Sequence, residues 1–194
     1  MATSRIKTSS ILQGFPKSRS LLAGNAGYDP AATWLIQRQT LTSTAATVTF
    51  SSIPSTYKHL QLRYLAQHNS GIVDYWDVRL TVNTSTSYAY HLLQGSGAAA
   101  SAAGSSSQST ANTSTLIPSG TANTFGVGLL DFVDYASTTK NKTVRCFGGF
   151  DRNGSGFITL SSILSINTAA INSITLSASN FNTGSTFALY GMVG

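Results

Sequence analysis

The residue types that most often carry catalytic chemistry are few in this chain, and their spacing does not assemble them into a site. Cys146 is the only cysteine, and the apolar run around it predicts a buried small side chain rather than an activated thiol. His59, His68 and His91 are scattered, with no pair at i and i+4, so they predict no zinc site. No metal and no other cofactor is therefore expected.

All six acidic residues are aspartates, and four of them form two close pairs in the sequence. Asp74 lies three residues before Asp77, and Asp131 lies three residues before Asp134. In a strand this spacing puts the two members of a pair on opposite faces, which disfavours the facing carboxylates of a glycosidase. Together with the isolated cysteine and histidines, this spacing predicts a protein that is not an enzyme.

One segment begins like a calcium loop. The run DRNGS starts at Asp151, but Ser162 occupies the twelfth position, where an EF-hand carries an acidic ligand. The Asn153-Gly154 pair within it is a strong signal for a hairpin turn. We therefore predict a turn between two strands here.

The composition and the residue alternation both favour an all-β protein. Charged residues make up only 9% of the chain and hydrophobic residues 41%, while Ser and Thr are abundant. Apolar residues alternate with polar ones in the pattern of half-buried strands, as at Leu60, Leu62 and Tyr64. The segments with this pattern predict about ten strands: 34–41, 46–50, 57–67, 75–82, 88–93, 125–133, 142–150, 156–165, 173–177 and 186–193.

Regular strand spacing without intervening helical patterns predicts one antiparallel, jelly-roll-like β-sandwich that spans residues 34–194. Residues 95–115 lack large apolar side chains and are predicted to form a Ser/Ala/Gly-rich surface loop. Two interpretations of that loop remain open. It is either mobile, or it packs closely against a neighbouring subunit.

Residues 1–33 differ from the rest and predict an extended N-terminal attachment arm. They combine short apolar clusters with basic residues and have no sustained period, a pattern that favours ordering on a partner over a plain flexible tail. The predicted partner-binding anchors are Ile11, Leu12, Phe15, Leu21, Leu22, Arg5, Lys7, Lys17 and Arg19. The net charge is +6, but these spaced bases lack an aromatic ladder, so nucleic acid is not an expected partner.

The sequence was also searched for a membrane-spanning segment and for a signal peptide. No apolar run approaches the ~18 residues of a membrane span, so no membrane partner is expected. The basic N-terminus lacks the apolar core of a signal peptide, so none is predicted.

Several segments resemble a family of small structural proteins of tailed-bacteriophage virions. The similar segments are KTSSILQGF at 7–15, TFSSIPSTYKHLQLR at 49–63, DFVDYASTTKNKTVR at 131–145, GFDRNGSG at 149–156, INTAAINSITL at 166–176 and FALYGMVG at 187–194. The resemblance implies a jelly-roll-like virion component that assembles in the host cytoplasm. It carries no catalytic motif, so it implies no active-site residue.

Two roles follow from this resemblance. The favoured one is a capsid decoration, or cement, protein that binds the major capsid protein through its arm and forms a homo-oligomer, with a trimer favoured. The alternative is a tail-fibre or receptor-binding module, carried by a separate tail or fibre protein, whose exposed aromatics contact host glycans. The candidate glycan-binding residues are Tyr75, Trp76, Tyr88 and Tyr90.

Overall fold

The computed structural model describes residues 33–193. All the regular elements in that range are β-strands. There are twelve strands: β1 (Thr33–Thr40), β2 (Ala45–Phe50), β3 (His59–Ala66), β4 (Asp74–Val82), β5 (Tyr88–Gly95), β6 (Ala100–Gln108), β7 (Ala111–Ser119), β8 (Gly126–Val133), β9 (Lys142–Asp151), β10 (Gly156–Ser165), β11 (Ile174–Phe181) and β12 (Thr186–Met192). The prediction of an all-β protein is confirmed. The predicted arm lies outside the described residues, apart from Thr33, which opens β1.

The strands form two antiparallel sheets. The larger sheet has eight strands in the order β1-β12-β3-β8-β9-β10-β5-β6, and the smaller has four in the order β2-β11-β4-β7. Neighbours such as β1 and β12, or β3 and β12, are far apart in sequence, so the large sheet is built from long-range pairings. Ten of the twelve strands lie where the alternation predicted them, with boundaries shifted by a few residues.

The core lies between the sheets, as the alternation predicted. Val48 and Phe50 of β2 are buried, and so are Leu60, Leu62 and Tyr64 of β3. Successive side chains of a strand point to opposite faces, so the intervening residues face outward. Burial of these apolar side chains supplies the main favourable free energy of folding, at ~25 cal/mol per Å².

The prediction of a loop at 95–115 is wrong, because most of this segment forms β6 and the first half of β7. β6 extends the large sheet by pairing with β5, so its small residues are held by backbone hydrogen bonds while remaining mostly exposed. β7 is buried along its whole length, because it packs across β8, β9 and β10 of the facing sheet. Small side chains therefore do enter the core here.

The buried threonine hydroxyls of β7 have partners in both sheets, whereas the buried Ser114 hydroxyl has none among residues 33–193. Thr113 Oγ1 donates to the Val78 carbonyl of β4 at 2.6 Å, and its own carbonyl accepts from Ser161 Oγ of β10 at 2.5 Å. The Tyr64 hydroxyl donates to Thr115 Oγ1, which also contacts Thr113 Oγ1. Because a buried hydroxyl is costly only when unpaired, this network lets a Ser/Thr-rich strand occupy the core.

Three strands contain a serine with a left-handed backbone conformation. Each serine lies where the strand register shifts. Ser107 of β6 has a φ of 57°, Ser114 of β7 has 55° and Ser179 of β11 has 64°. Each lies opposite an irregularity in the pairing with the neighbouring strand, as expected of β-bulges. The bulges add local twist to strands that must curve over the core.

The predicted turn between β9 and β10 is confirmed. Asp151 Oδ1 accepts the backbone N–H of Asn153 at 2.6 Å, and the Arg152 N–H donates to the Ser155 carbonyl at 2.8 Å. Asn153 and Gly154 both have positive φ, which their residue types tolerate. The Asp151 carboxylate is therefore used in closing the turn.

Candidate functional site

The nine predicted arm anchors fall in residues 1–32 and so lie outside the described part of the chain. The other four predicted site residues are described, and the structure does not bring them together. Tyr75 and Trp76 lie on β4 of the small sheet, whereas Tyr88 and Tyr90 lie on β5 of the large sheet. The four aromatics thus do not form one surface.

Tyr88 is a core residue, so its assignment as a glycan-binding candidate is wrong. Its side chain is fully buried, and its hydroxyl accepts the backbone N–H of Val82 at 2.9 Å. Tyr90 is partly buried and packs against the same core. These two aromatics join the sheets rather than present a surface to a ligand.

Tyr75 is 41% exposed and belongs to an aromatic cluster that links β4 to the β9–β10 hairpin. Its ring centroid lies 4.7 Å from that of Phe157 and 6.3 Å from that of Phe150. Arg152 lies over the Phe150 ring at 5.1 Å and donates from Nη1 to the Asp74 carbonyl at 3.0 Å. These contacts give Tyr75 a structural role at the hairpin.

Trp76 is 39% exposed and stacks on a buried histidine. Its ring centroid lies 4.1 Å from that of His68, and the two planes are 15° from parallel. Neither ring nitrogen of His68 has a hydrogen-bond partner of normal geometry among residues 33–193. Burial lowers the pKa of His68, and the nearby Ala178 backbone offsets only part of that shift. The lowered pKa favours the neutral imidazole of His68, which stacks on the Trp76 ring.

A small polar pocket of about 180 Å³ lies beside His68, where three loops of the sandwich meet. Gln67 shapes it, because its Nε2 donates to the Thr121 and Thr124 carbonyls at 2.6 and 2.9 Å. Asn182 Nδ2 donates to Gln67 Oε1 at 2.7 Å. A stacked aromatic beside fixed amides is an arrangement that can hold a small polar ligand.

The outer face of the large sheet, which points away from the small sheet, carries two adjacent rows of apolar side chains. In one row Leu129 of β8, Phe147 of β9, Leu160 of β10 and Leu93 of β5 are directly paired across neighbouring strands. The next row places Leu65, Val127 and Ile158 at corresponding outward positions. We call these seven residues the outer apolar face.

A groove of about 520 Å³ runs along one end of this face. Phe147, Val127 and Ile158 line it, together with glycines of the β5–β6 turn and the β9–β10 hairpin. Gly149 has a φ of 155° and a Cβ there would overlap the Phe157 carbonyl, so the close strand approach requires glycine. The groove is therefore an apolar depression continuous with the outer apolar face.

Two titratable groups on the described residues, Cys146 and Asp134, have shifted pKa values that their surroundings explain. Burial raises the pKa of the Cys146 thiol to about 12, as expected of an inert buried cysteine. Lys140 and Lys58 pair with Asp134 at 2.8 and 2.9 Å and lower its pKa to about 2. Within residues 33–193 no three His, Cys, Asp or Glu side chains come close enough together to hold a metal ion.

Sequence reasoning missed the outer apolar face and the His68 stack. The face had a signal, because β8 and β10 carry large apolar residues at both odd and even positions. Such a strand is expected to be covered on both sides. The His68 stack had none, because His68 and Trp76 meet only through the tertiary fold.

Comparison with known proteins found no match to a family model, to a curated protein or to a solved structure. No helix in residues 33–193 is long and apolar enough to cross a membrane.

Proposed function

We propose that this chain is a non-enzymatic structural protein of a bacteriophage virion, a capsid decoration protein that attaches through its N-terminal segment. The observation that carries the proposal is the strand order of the two sheets, together with the similar segments noted in the sequence. The partner is the major capsid protein, and the chain reaches it in the cytoplasm of the host during particle assembly.

The strand order supports a jelly roll, a fold found in viral capsid and lectin domains. In a jelly roll the first, eighth, third and sixth strands form one sheet, and the second, seventh, fourth and fifth form the other. With β2 as the first strand, the small sheet β2-β11-β4-β7 follows the first of these orders. In the large sheet β3, β5 and β6 are the second, fourth and fifth strands, and the meander β8-β9-β10 replaces the seventh.

The surface of the sandwich also supports a structural role. Exposed strand positions carry mostly hydroxyls, small side chains and apolar side chains, with few charges. Such a surface suits lasting contact with protein neighbours better than chemistry on a small substrate.

The experiment compares the full chain with a variant that lacks residues 1–32. The deletion ends just before β1, which begins at Thr33. Both are incubated with virions assembled without this chain, and co-sedimentation is measured. We expect the truncated variant to fold, by circular dichroism, and to lose attachment. Normal attachment of the truncated variant would overturn attachment through the N-terminal segment.

Two full-length variants separate the apolar from the basic contribution. One replaces Phe15, Leu21 and Leu22 by serine, and the other replaces Lys7 and Lys17 by glutamine. We expect the serine variant to lose attachment at all salt concentrations, because it removes apolar burial. The glutamine variant should attach less well than the full chain mainly at low salt, where unscreened charges contribute most.

One observation favours a second candidate, a receptor-binding module that contacts host glycans. Trp76 is partly exposed and stacks on His68, which lines the small polar pocket. Sugar recognition of this kind predicts that Trp76→Ala abolishes binding of labelled chain to host cells. Tyr75→Ala is the matched control, because Tyr75 is equally exposed but belongs to the hairpin cluster. Equal binding by all three proteins would exclude this site.

A further inference from the structure

We infer that the outer apolar face of the large sheet is the contact between two copies of this chain, which meet face to face. The inference goes beyond the proposed virion role and does not depend on it. It rests on the extent of the face, the apolar character of its seven residues and its position on a sheet, where Arg63 of β3, paired with Leu129, marks its edge.

The face is a continuous apolar patch at the upper end of what a soluble monomer exposes. Six of its members are between 47% and 59% exposed: Leu65, Leu93, Val127, Phe147, Ile158 and Leu160. Together they leave roughly 500 Å² of apolar surface in contact with water, near the upper limit for the largest patch on a monomer. Their strands β3, β8, β9, β10 and β5 are neighbours, so the patch is unbroken.

This area matches the centre of a stable interface between copies. A standard interface buries ~800 Å² on each partner, with an apolar centre and a polar rim. The next outward row supplies the rim, because it carries Gln61, Asp131, Arg145, Ser162 and His91 at paired positions. The rim includes both signs of charge, and the Arg145–Asp131 contact is a loose 3.7 Å pair in which the guanidinium is mostly exposed.

The geometry favours a second copy as the occupant. Two sheets stack face to face about 10 Å apart, with their side chains interdigitated. When an apolar face packs against a second copy of itself, a two-fold axis gives both partners the same contacts. Such a contact closes at two copies, in place of the trimer that the resemblance favoured.

The test is the association state of the full chain, measured by sedimentation equilibrium over a wide range of concentrations. We expect a dimer for the unmodified chain. Phe147→Asp and Leu160→Asp place a charge at the centre of the face and should each weaken dimerisation about 30-fold or more, as loss of an interface hot spot does.

Ile72→Asp is the matched control, because Ile72 is 71% exposed and lies in the β3–β4 loop, outside the outer apolar face. It should leave the dimer unchanged. Near-UV circular dichroism should show that each variant retains the packed sandwich, because the substitutions are at exposed positions.

A second measurement does not depend on disrupting the face. Cys146 is buried, so a cysteine introduced at Ser162 is the accessible thiol for a spin label on the described residues. The label should report a short distance between copies, whereas a label at Ile72→Cys should report a long one.

Three results would overturn the inference. The first is a full chain that stays monomeric at every concentration, as expected if residues 1–32 or another protein cover the face. The second is a dimer that survives both aspartate substitutions. The third is a trimer.

Discussion

His68 is a titratable residue in an environment that disfavours its charged form. It is a titratable ring, yet it is buried against Trp76 with neither nitrogen hydrogen-bonded among the described residues. Desolvation disfavours the imidazolium form, which is why the pKa of His68 is lowered from 6.5. The folded protein therefore resists taking up a proton that the unfolded chain accepts readily.

The sign of the resulting pH dependence follows from linkage. Below 6.5 the unfolded state binds the proton and the folded state does not, so the free energy of unfolding should fall as the pH drops through that value. We expect urea unfolding to show this loss in the unmodified chain. His68→Phe, which retains the stack but cannot titrate, should show a smaller loss over the same interval. An identical loss in both proteins would rule out His68 as its source.

Asp134 shows the opposite shift. Lys140 first, and Lys58 second, hydrogen-bond to its carboxylate and lower its pKa to about 2. Because the folded pKa lies below the unfolded value of 3.8, the pairs stabilise the fold above that value and lose their effect as the pH falls towards 2. An NMR titration of the Asp134 carboxyl should therefore give a midpoint near 2.

The lysines provide the check on this assignment. Lys140→Met should move the Asp134 midpoint upward, towards 3.8, and adding Lys58→Met should move it further. The titration is the better measurement, because exposed pairs of this kind contribute little to stability. A midpoint that stays low in the double variant would show that another cause lowers the pKa.

Among the strands, β7 shows what sequence patterns could and could not reveal. The ten strands with large alternating apolar residues were predictable, because side-chain period alone distinguishes them. The region of β6 and the start of β7 has no such alternation. β6 depends on backbone pairing with β5. β7 depends on β3 and β4 for partners of its threonine hydroxyls and on Ser161 of β10, which donates to the Thr113 carbonyl. Those partners are distant in sequence, so no local pattern indicates them.

The hydroxyl network of β7 can be tested by a double-mutant cycle. Thr115→Val keeps the shape of the side chain but removes the partner of the Tyr64 hydroxyl, so it should lower the free energy of unfolding by about 1–3 kcal/mol. Tyr64→Phe removes the other partner. The double variant should lose less than the sum of the two single losses, because the second substitution removes a group already left unpaired.

Thr143→Val is the control for this cycle, since Thr143 lies on β9 at an exposed position. It should change the free energy of unfolding by less than ~0.5 kcal/mol. Additive losses at Thr115 and Tyr64 would show that their hydroxyls do not act together.

For the whole molecule, the decisive element is β12. It lies between β1 and β3, so the large sheet cannot join its first strand to the rest without it. A chain that ends at Gly184, before β12, should therefore fail to fold, and should lack the near-UV circular dichroism of the full chain. Removal of only Val193 and Gly194 should leave that spectrum intact. A folded product lacking β12 would show that β1 is dispensable too.

The two-sheet architecture was predictable from the sequence, but the outer apolar face was not anticipated. Alternation identifies which strands have a buried side, and it assigned the inner faces of β2 and β3 correctly. β8 and β10 have apolar residues on both sides, which indicates that their outer side is also covered by another surface. The strand order of the sheet, which brings these residues together into one patch, is known only from the tertiary structure.

The pairing of Thr33 with Met192 brings the two ends of the described sandwich side by side on adjacent strands. A short linker between them would suit circular permutation, with new termini opened in the β9–β10 turn at Asn153 and Gly154. A fusion partner attached there would project from the hairpin tip, at the end of the large sheet opposite to Thr33 and Met192. The hairpin is consequently the better point for displaying a foreign peptide on this scaffold.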